Sequence, residues 1–122
     1  MIERTTDPMS EQTRAAIQRF HEAFNTHDID ALAGCITEDC VFEDTTPPDG
    51  GRHVGQEAVL GAFKRFFTAS PNAHFDVEEL FTAGDRALVL WRYSWADGHV
   101  RGADVMRVRD GRVAESLAYV KG

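Results

Sequence analysis

The run from Arg86 to Val120, RALVLWRYSWADGHVRGADVMRVRDGRVAESLAYV, decides the fold. It holds three stretches rich in β-formers, Arg86 to Ala96, Val100 to Arg109 and Arg112 to Val120, parted by Asp97-Gly98 and Asp110-Gly111. Asp-Gly between strand-formers is a strong hairpin signal, because a tight turn of the right twist needs positive φ. An antiparallel meander is predicted. A fourth stretch, Phe75 to Thr82, precedes it across Gly84-Asp85 and extends the sheet.

Upstream the apolar period changes to that of a helix. Ser10 is a candidate N-cap for a helix from Glu11, with Ile17, Phe20, His21 and Phe24 on one face. Asn25-Thr26-His27 interrupts it, and Asp28 caps a shorter helix carrying Ile29, Leu32, Ala33 and Ile36. Cys40 to Asp44 reads as a short strand and Thr45 to Gly51, with its two prolines, as a loop. A third helix follows Gly55, carries Val59, Ala62, Phe63, Phe66 and Phe67 on its apolar face, and ends at Ser70-Pro71-Asn72. Helices first and strands last predict an α+β fold, three helices packed on one face of a curved, mainly antiparallel sheet. A conical space is expected between the two layers. Residues 1–9 are expected to form a flexible tail and residues 10–122 one domain.

Composition removes several classes of function. The net charge of −7 is the wrong sign for a phosphate backbone or an anionic membrane surface, so nucleic acid and membrane are not expected partners. No segment approaches the ~20 unbroken apolar residues of a membrane span, and the polar opening has no signal-peptide core. Cys35 and Cys40 read as reduced thiols, which implies a cytoplasmic location. His21, His27, His53, His74 and His99 lack metal-ligand spacing, so no metal is expected.

Two aspartates carry the candidate chemistry. Strand alternation puts Asp44 on one face with Phe42 and Cys40, and Asp104 on one face with Met106 and Val108, with Arg107 and Arg109 opposite. A carboxyl among apolar neighbours is costly to ionise, so its pKa rises toward the range that acid–base catalysis uses. The plainer alternatives stay open. Asp44 ends a strand, where aspartate often bonds loop amides, and a one-residue slip would turn Asp104 to solvent.

From Gln18-Arg19-Phe20 through Asn25, Asp28-Ile29-Asp30 and Val41-Phe42-Glu43-Asp44 to the helix after Gly55, the chain resembles the first half of bacterial ketosteroid isomerase. Ala103-Asp104-Val105-Met106-Arg107-Val108 is similar to the oxyanion strand of that enzyme, and Arg107 to Glu115 resembles the SnoaL-like proteins of the nuclear-transport-factor-2-like superfamily. The resemblance covers nearly the whole chain from Ser10. It implies a cone-shaped, cystatin-like α+β barrel and an isomerase or polyketide-cyclase type of enzyme that needs no cofactor. Its ligand would be a hydrophobic carbonyl compound, steroid-like or polyketide-like.

By the same resemblance Asp44 falls where the isomerase keeps its general base, and Asp104 where it keeps a protonated aspartate against the enolate oxygen. The logic of a carboxylic acid held neutral in an apolar site is borrowed from that enzyme. Two positions depart from it: Phe20 stands where the isomerase has its oxyanion tyrosine, and Phe63 where it has a supporting tyrosine. The expected pocket comprises Phe20, His21, Phe42, Phe63, Leu90, Arg92 and Met106, with His21 either entering it or packing beside it. Leu90 and Arg92 belong to it only if that face of their strand looks inward. Arg92 would then pair with Asp104, as in limonene epoxide hydrolase, although Ser94 stands where that family needs an acid. Otherwise the aromatic face, Val89, Trp91, Tyr93 and Trp95, packs inside and Arg92 is exposed. An outward aromatic face, with Leu117 and Tyr119, predicts a homodimer. A non-catalytic ligand-binding or dimerisation module on the same scaffold is the alternative function.

Overall fold

A computed structural model describes residues 7–45 and 50–121. The expected tail up to Thr6 and the centre of the expected Thr45–Gly51 loop lie outside the described residues. Within them the order is α1 (Pro8–Asn25), α2 (Ile29–Cys35), β1 (Ile36–Asp44), β2 (Gly51–Val54), α3 (Gln56–Ala69), β3 (His74–Ala83), β4 (Arg86–Trp95), β5 (Gly98–Arg109) and β6 (Arg112–Val120). The class is α+β, as the residue pattern predicts. One mixed sheet runs β2-β1-β6-β5-β4-β3, parallel only where β1 meets β6. The β5–β6 turn has the expected chemistry, with φ of 55° at Asp110 and 78° at Gly111.

Helix α1 starts at Pro8, ahead of the predicted Glu11. Asp7 is the N-cap, accepting from the Ser10 amide at 2.8 Å, and Pro8 takes the first helical turn, where its missing N–H costs nothing. Ser10, the expected cap, has another task. Its hydroxyl donates to Asp7 at 2.9 Å and accepts from the Gly84 amide at 2.9 Å. The Thr13 hydroxyl donates to the Gly84 carbonyl at 2.6 Å. These bonds bolt the first turns of α1 to the β3–β4 turn. Asp28 caps α2 as expected, accepting from the Ala31 amide at 3.0 Å.

Two features of the sheet differ from the sequence expectation. Strand β1 begins at Ile36, and its register against β6 shifts between Ile36 and Val41. Strand β2, whose first residue the sequence assigns to a loop and whose others it leaves unassigned, pairs antiparallel with β1, placing Val54 opposite Val41 and Gly51 opposite Asp44.

The helices cover one face of the sheet and bury Ile17, Leu32, Val59, Val89, Met106 and Val113 completely. On the opposite face, register aligns Phe81, Leu88, Val105 and Leu117 in one row across four strands. Arg107 and Glu115 are register partners beside that row.

Candidate active site

Between the inner face of the sheet and helices α1 and α3 lies a cavity of about 310 Å³. Its walls are aromatic: Phe20 and Phe24 from α1, Phe42 from β1, Phe63 and Phe66 from α3, Phe75 from β3, and Trp91, Tyr93 and Trp95 from β4. The rings hold each other edge to face. Phe24 meets Phe63 at 5.4 Å and 83°, and Phe42 meets Phe63 at 5.2 Å and 65°. Such contacts add ~0.5–1.5 kcal/mol each beyond area burial, so the walls are set by packing. Asp44, Asp104, Ser116 and His21 join Tyr93 as polar side chains in this lining.

Asp104 is 5% exposed. The indole Nε1–H of Trp91 donates to its Oδ1 at 2.8 Å. Burial pushes the carboxyl up to about 7, against the opposing hydrogen bonds of Trp91 and Ser116. A carboxylic acid that keeps its proton near neutral pH can donate a hydrogen bond into the cavity. Gly102, opposite Trp91 in the sheet, makes the indole contact possible. A Cβ on Gly102 would lie 2.5 Å from the Trp91 ring and 2.5 Å from the Tyr119 carbonyl. Only a bare backbone lets the ring lie across β5 and reach Asp104.

Asp44 stands at the end of β1, half-buried, and lines the same cavity. Its register partner on β6 is Ala118, which is also the partner of Asp104 on β5. Three strands spaced ~4.8 Å apart put the two aspartate backbones about 10 Å from each other on one face. The single methyl of Ala118 between them leaves room for a reacting molecule.

His21 lies flat on Phe75, with centroids 4.8 Å apart and planes at 17°, and meets Phe20 edge-on at 5.3 Å. Asn25, one turn further along α1, brackets the Phe75 backbone, donating to its carbonyl and accepting from its amide, each at 2.8 Å. Neither ring nitrogen of His21 has a hydrogen-bond partner among the described residues. Burial lowers its pKa to about 4, so the ring is neutral at neutral pH.

The structure therefore brings Phe20, His21, Phe42, Phe63, Asp44 and Asp104 together around one space. Three expected pocket residues lie elsewhere. Leu90 and Arg92 are on the outer face of β4, with Arg92 Nη2 3.4 Å from His99 Nδ1. The reason is chemical: the inward alternative gives the Trp91 N–H a buried acceptor, whereas an inward guanidinium would have to be desolvated. Pairing of Arg92 with Asp104 is thereby corrected, and so is an outward aromatic face. Met106 does share the Asp104 face but sits in the solid core, fully buried, and does not line the cavity. Sequence reasoning did not assign Trp91 or Ser116 to the site. The available signal was Gly102, a mid-strand glycine two residues before Asp104.

Among the described residues no three His, Cys, Asp or Glu side chains gather to hold a metal, and no helix is long and apolar enough to cross a membrane.

Residues 17–116 match the family described as the SnoaL-like domain. Among solved structures, an NTF2-like protein of unknown function from Mesorhizobium loti is 48% identical over 97% of this chain and 98% of its own, with a TM-score of 0.84. A proposed polyketide cyclase from Sinorhizobium meliloti is 26% identical over 84% of this chain and 92% of its own, at 0.74. A proposed ketosteroid isomerase from Kribbella flavida is 24% identical over 93% of this chain and 80% of its own, at 0.77, and supports the fold alone. No curated protein matches the chain.

Proposed function

The chain belongs to the SnoaL-like domain family, and from that premise we propose that it is an acid–base enzyme of the isomerase or cyclase type acting on a hydrophobic carbonyl compound. The observation that carries this reading is Asp104, a carboxyl with its pKa raised to about 7 inside an aromatic cavity. Asp44 takes a proton from the carbon next to the carbonyl, and the electrons of that C–H bond move onto the carbonyl oxygen. Asp104, protonated, donates to the enolate oxygen as charge develops there. Asp44 then returns its proton to another carbon of the same molecule, so no co-reactant is consumed. The proposed role of the Sinorhizobium relative agrees with this chemistry.

Phe20 and Phe63 line the cavity without a hydroxyl, so Asp104 stabilises the enolate without a donor from either of those positions. Loss of one oxyanion donor typically costs a hundredfold or more in rate, which makes this a slow catalyst. That apolar substitution is also what favours the second reading, a ligand-binding module without turnover. The test is turnover of β,γ-unsaturated ketones, steroid-like and polyketide-like, by the unmutated protein and by the Asp44→Asn and Asp104→Asn variants. Turnover that both substitutions abolish supports the enzyme. No turnover of any ketone by the unmutated protein leaves the binding module.

Two further assignments belong to this reading. The outer row of Phe81, Leu88, Val105 and Leu117, with Tyr119 53% exposed beside it, is the face through which two copies would pair. The thiols Cys35 and Cys40, free in this structure, suit the reducing cytoplasm.

A further inference from the structure

The volume of a cavity limits how many rings of a ligand it can enclose, whatever chemistry is done on them. An apolar cavity of ~150 Å³ lined by Leu, Ile and Phe takes one benzene. The space here, about 310 Å³, is roughly twice that. It cannot widen cheaply, because its walls are coupled. Phe63 touches Phe20, Phe24 and Phe42, so displacing one ring disturbs α1, α3 and β1 together. The wall surfaces are also shaped for a flat molecule. Phe75 and Trp91 lie 5.3 Å apart with planes tilted by 33°, and the Trp91 indole in turn bonds Asp104, so flat ring surfaces run along this wall to the acid. Ring faces of this kind favour offset or edge-on partners that are themselves flat.

The polar end of the cavity is defined equally closely. Trp91 donates to Oδ1 of Asp104 and Ser116 bonds the same carboxyl, so the one group the acid itself can offer a ligand is its proton. One ligand oxygen can be served there.

We propose that the cavity selects a flat, two-ring aromatic or enone ligand with one oxygen function seated on Asp104, in preference to four-ring skeletons, which it cannot enclose. This rests on the same pocket as the proposed enzyme and narrows its substrate class from steroid-like to two-ring, polyketide-like compounds.

The experiment is a binding titration of the full chain with naphthalene, 2-naphthol and estrone, read by quenching of Trp91 and Trp95 fluorescence and by calorimetry. Saturable binding of one 2-naphthol is expected, at least about tenfold tighter than naphthalene and at least about tenfold tighter than estrone. Asp104→Ala should bring 2-naphthol and naphthalene together, and Asp104→Asn, which keeps an acceptor for the indole, is the second variant if alanine does not fold. Phe63→Ala, which removes a ring from the wall, should raise estrone affinity relative to 2-naphthol. Estrone binding as tightly as 2-naphthol to the unmutated protein would overturn the size limit and leave the acid–base reading standing. Naphthalene binding as tightly as 2-naphthol would overturn the seat on Asp104. No saturable binding of any of the three would overturn the inference together with the pocket. Failure of ketone turnover, with these affinities as expected, would sink the enzyme and not this inference.

Discussion

Asp44 and Asp104 occupy one cross-strand row, and Ala118 is the residue that separates them. Neither aspartate is near the other in sequence. The parallel docking of β1 on β6 and the antiparallel docking of β5 on β6 bring them onto the same face. The gap between the two acids is as wide as an alanine leaves it. Ala118→Leu should fill that gap from the sheet side. At least a tenfold loss of ligand affinity or turnover is expected, with a thermal midpoint within a few degrees of the parent, because the added atoms enter cavity rather than packed core. Retained affinity would show that ligand does not lie between the acids. Titration and differential scanning calorimetry decide it.

Burial moves Asp104 and His21 in opposite directions, and their pH dependences oppose each other. Asp104, raised from 3.8 to about 7, holds a proton in the folded protein that the unfolded chain releases. Its contribution is complete below 3.8 and is lost as pH rises toward 7. His21, lowered from 6.5 to about 4, lacks a proton that the unfolded chain holds. Its contribution is complete above 6.5 and is lost as pH falls toward 4. Each gives a slope of up to about 1.4 kcal/mol per pH unit, of opposite sign, between roughly pH 4 and 6.5. Relative to the parent, His21→Phe should therefore lose stability as pH rises through that window, and Asp104→Asn should gain it. Urea denaturation at several pH values measures both slopes. At pH 7, His21→Phe should also be more stable than the parent by about 1 kcal/mol or more, since it keeps a ring on Phe75 and removes two buried, unpaired nitrogens.

Gly102 is a requirement of the Trp91–Asp104 contact. Gly102→Ala places a methyl against the indole and the Tyr119 carbonyl, so destabilisation of about 1–3 kcal/mol is expected. Displacing the indole removes one of the two hydrogen bonds that hold the Asp104 pKa down, so that pKa should rise further. A carbon-detected NMR titration of the Asp104 carboxyl, together with the Trp fluorescence maximum, tests both effects. An unchanged indole environment would contradict the assignment.

Leu88 is 38% exposed in the middle of the outer apolar row. If two copies pair through that face, Leu88→Glu should shift sedimentation toward the monomer by more than tenfold in dissociation constant, with little effect on the cavity behind the sheet. A parent protein that sediments as a monomer at all concentrations would remove the dimer.

What the sequence revealed followed from local signals. Asp110-Gly111 carries its turn conformation in its own residue types, and the alternation of Asp104 with Met106 and Val108 faces a single core, so both were legible. The failures came where two answers satisfied the same pattern. Strand β4 is apolar on both faces, Leu88 and Leu90 against Val89, Trp91, Tyr93 and Trp95. The choice between them is made by the distant pair of Gly102 and Asp104. Asp7 and Ser10 are both competent caps, and Pro8 settles which one serves. Strand β2, Gly-Arg-His-Val, has no apolar rhythm of its own and exists by pairing with β1.

The parallel seam between β1 and β6 also fixes when the site can come into being. The strand that lies between the two acids is the last of the six to leave the ribosome, and it must insert beside the first. Closing a contact of that sequence separation is slow compared with hairpin formation. A nascent chain that lacks β6 carries both carboxyls on strands that nothing yet joins, so the space between them is assembled only once the sixth strand has emerged.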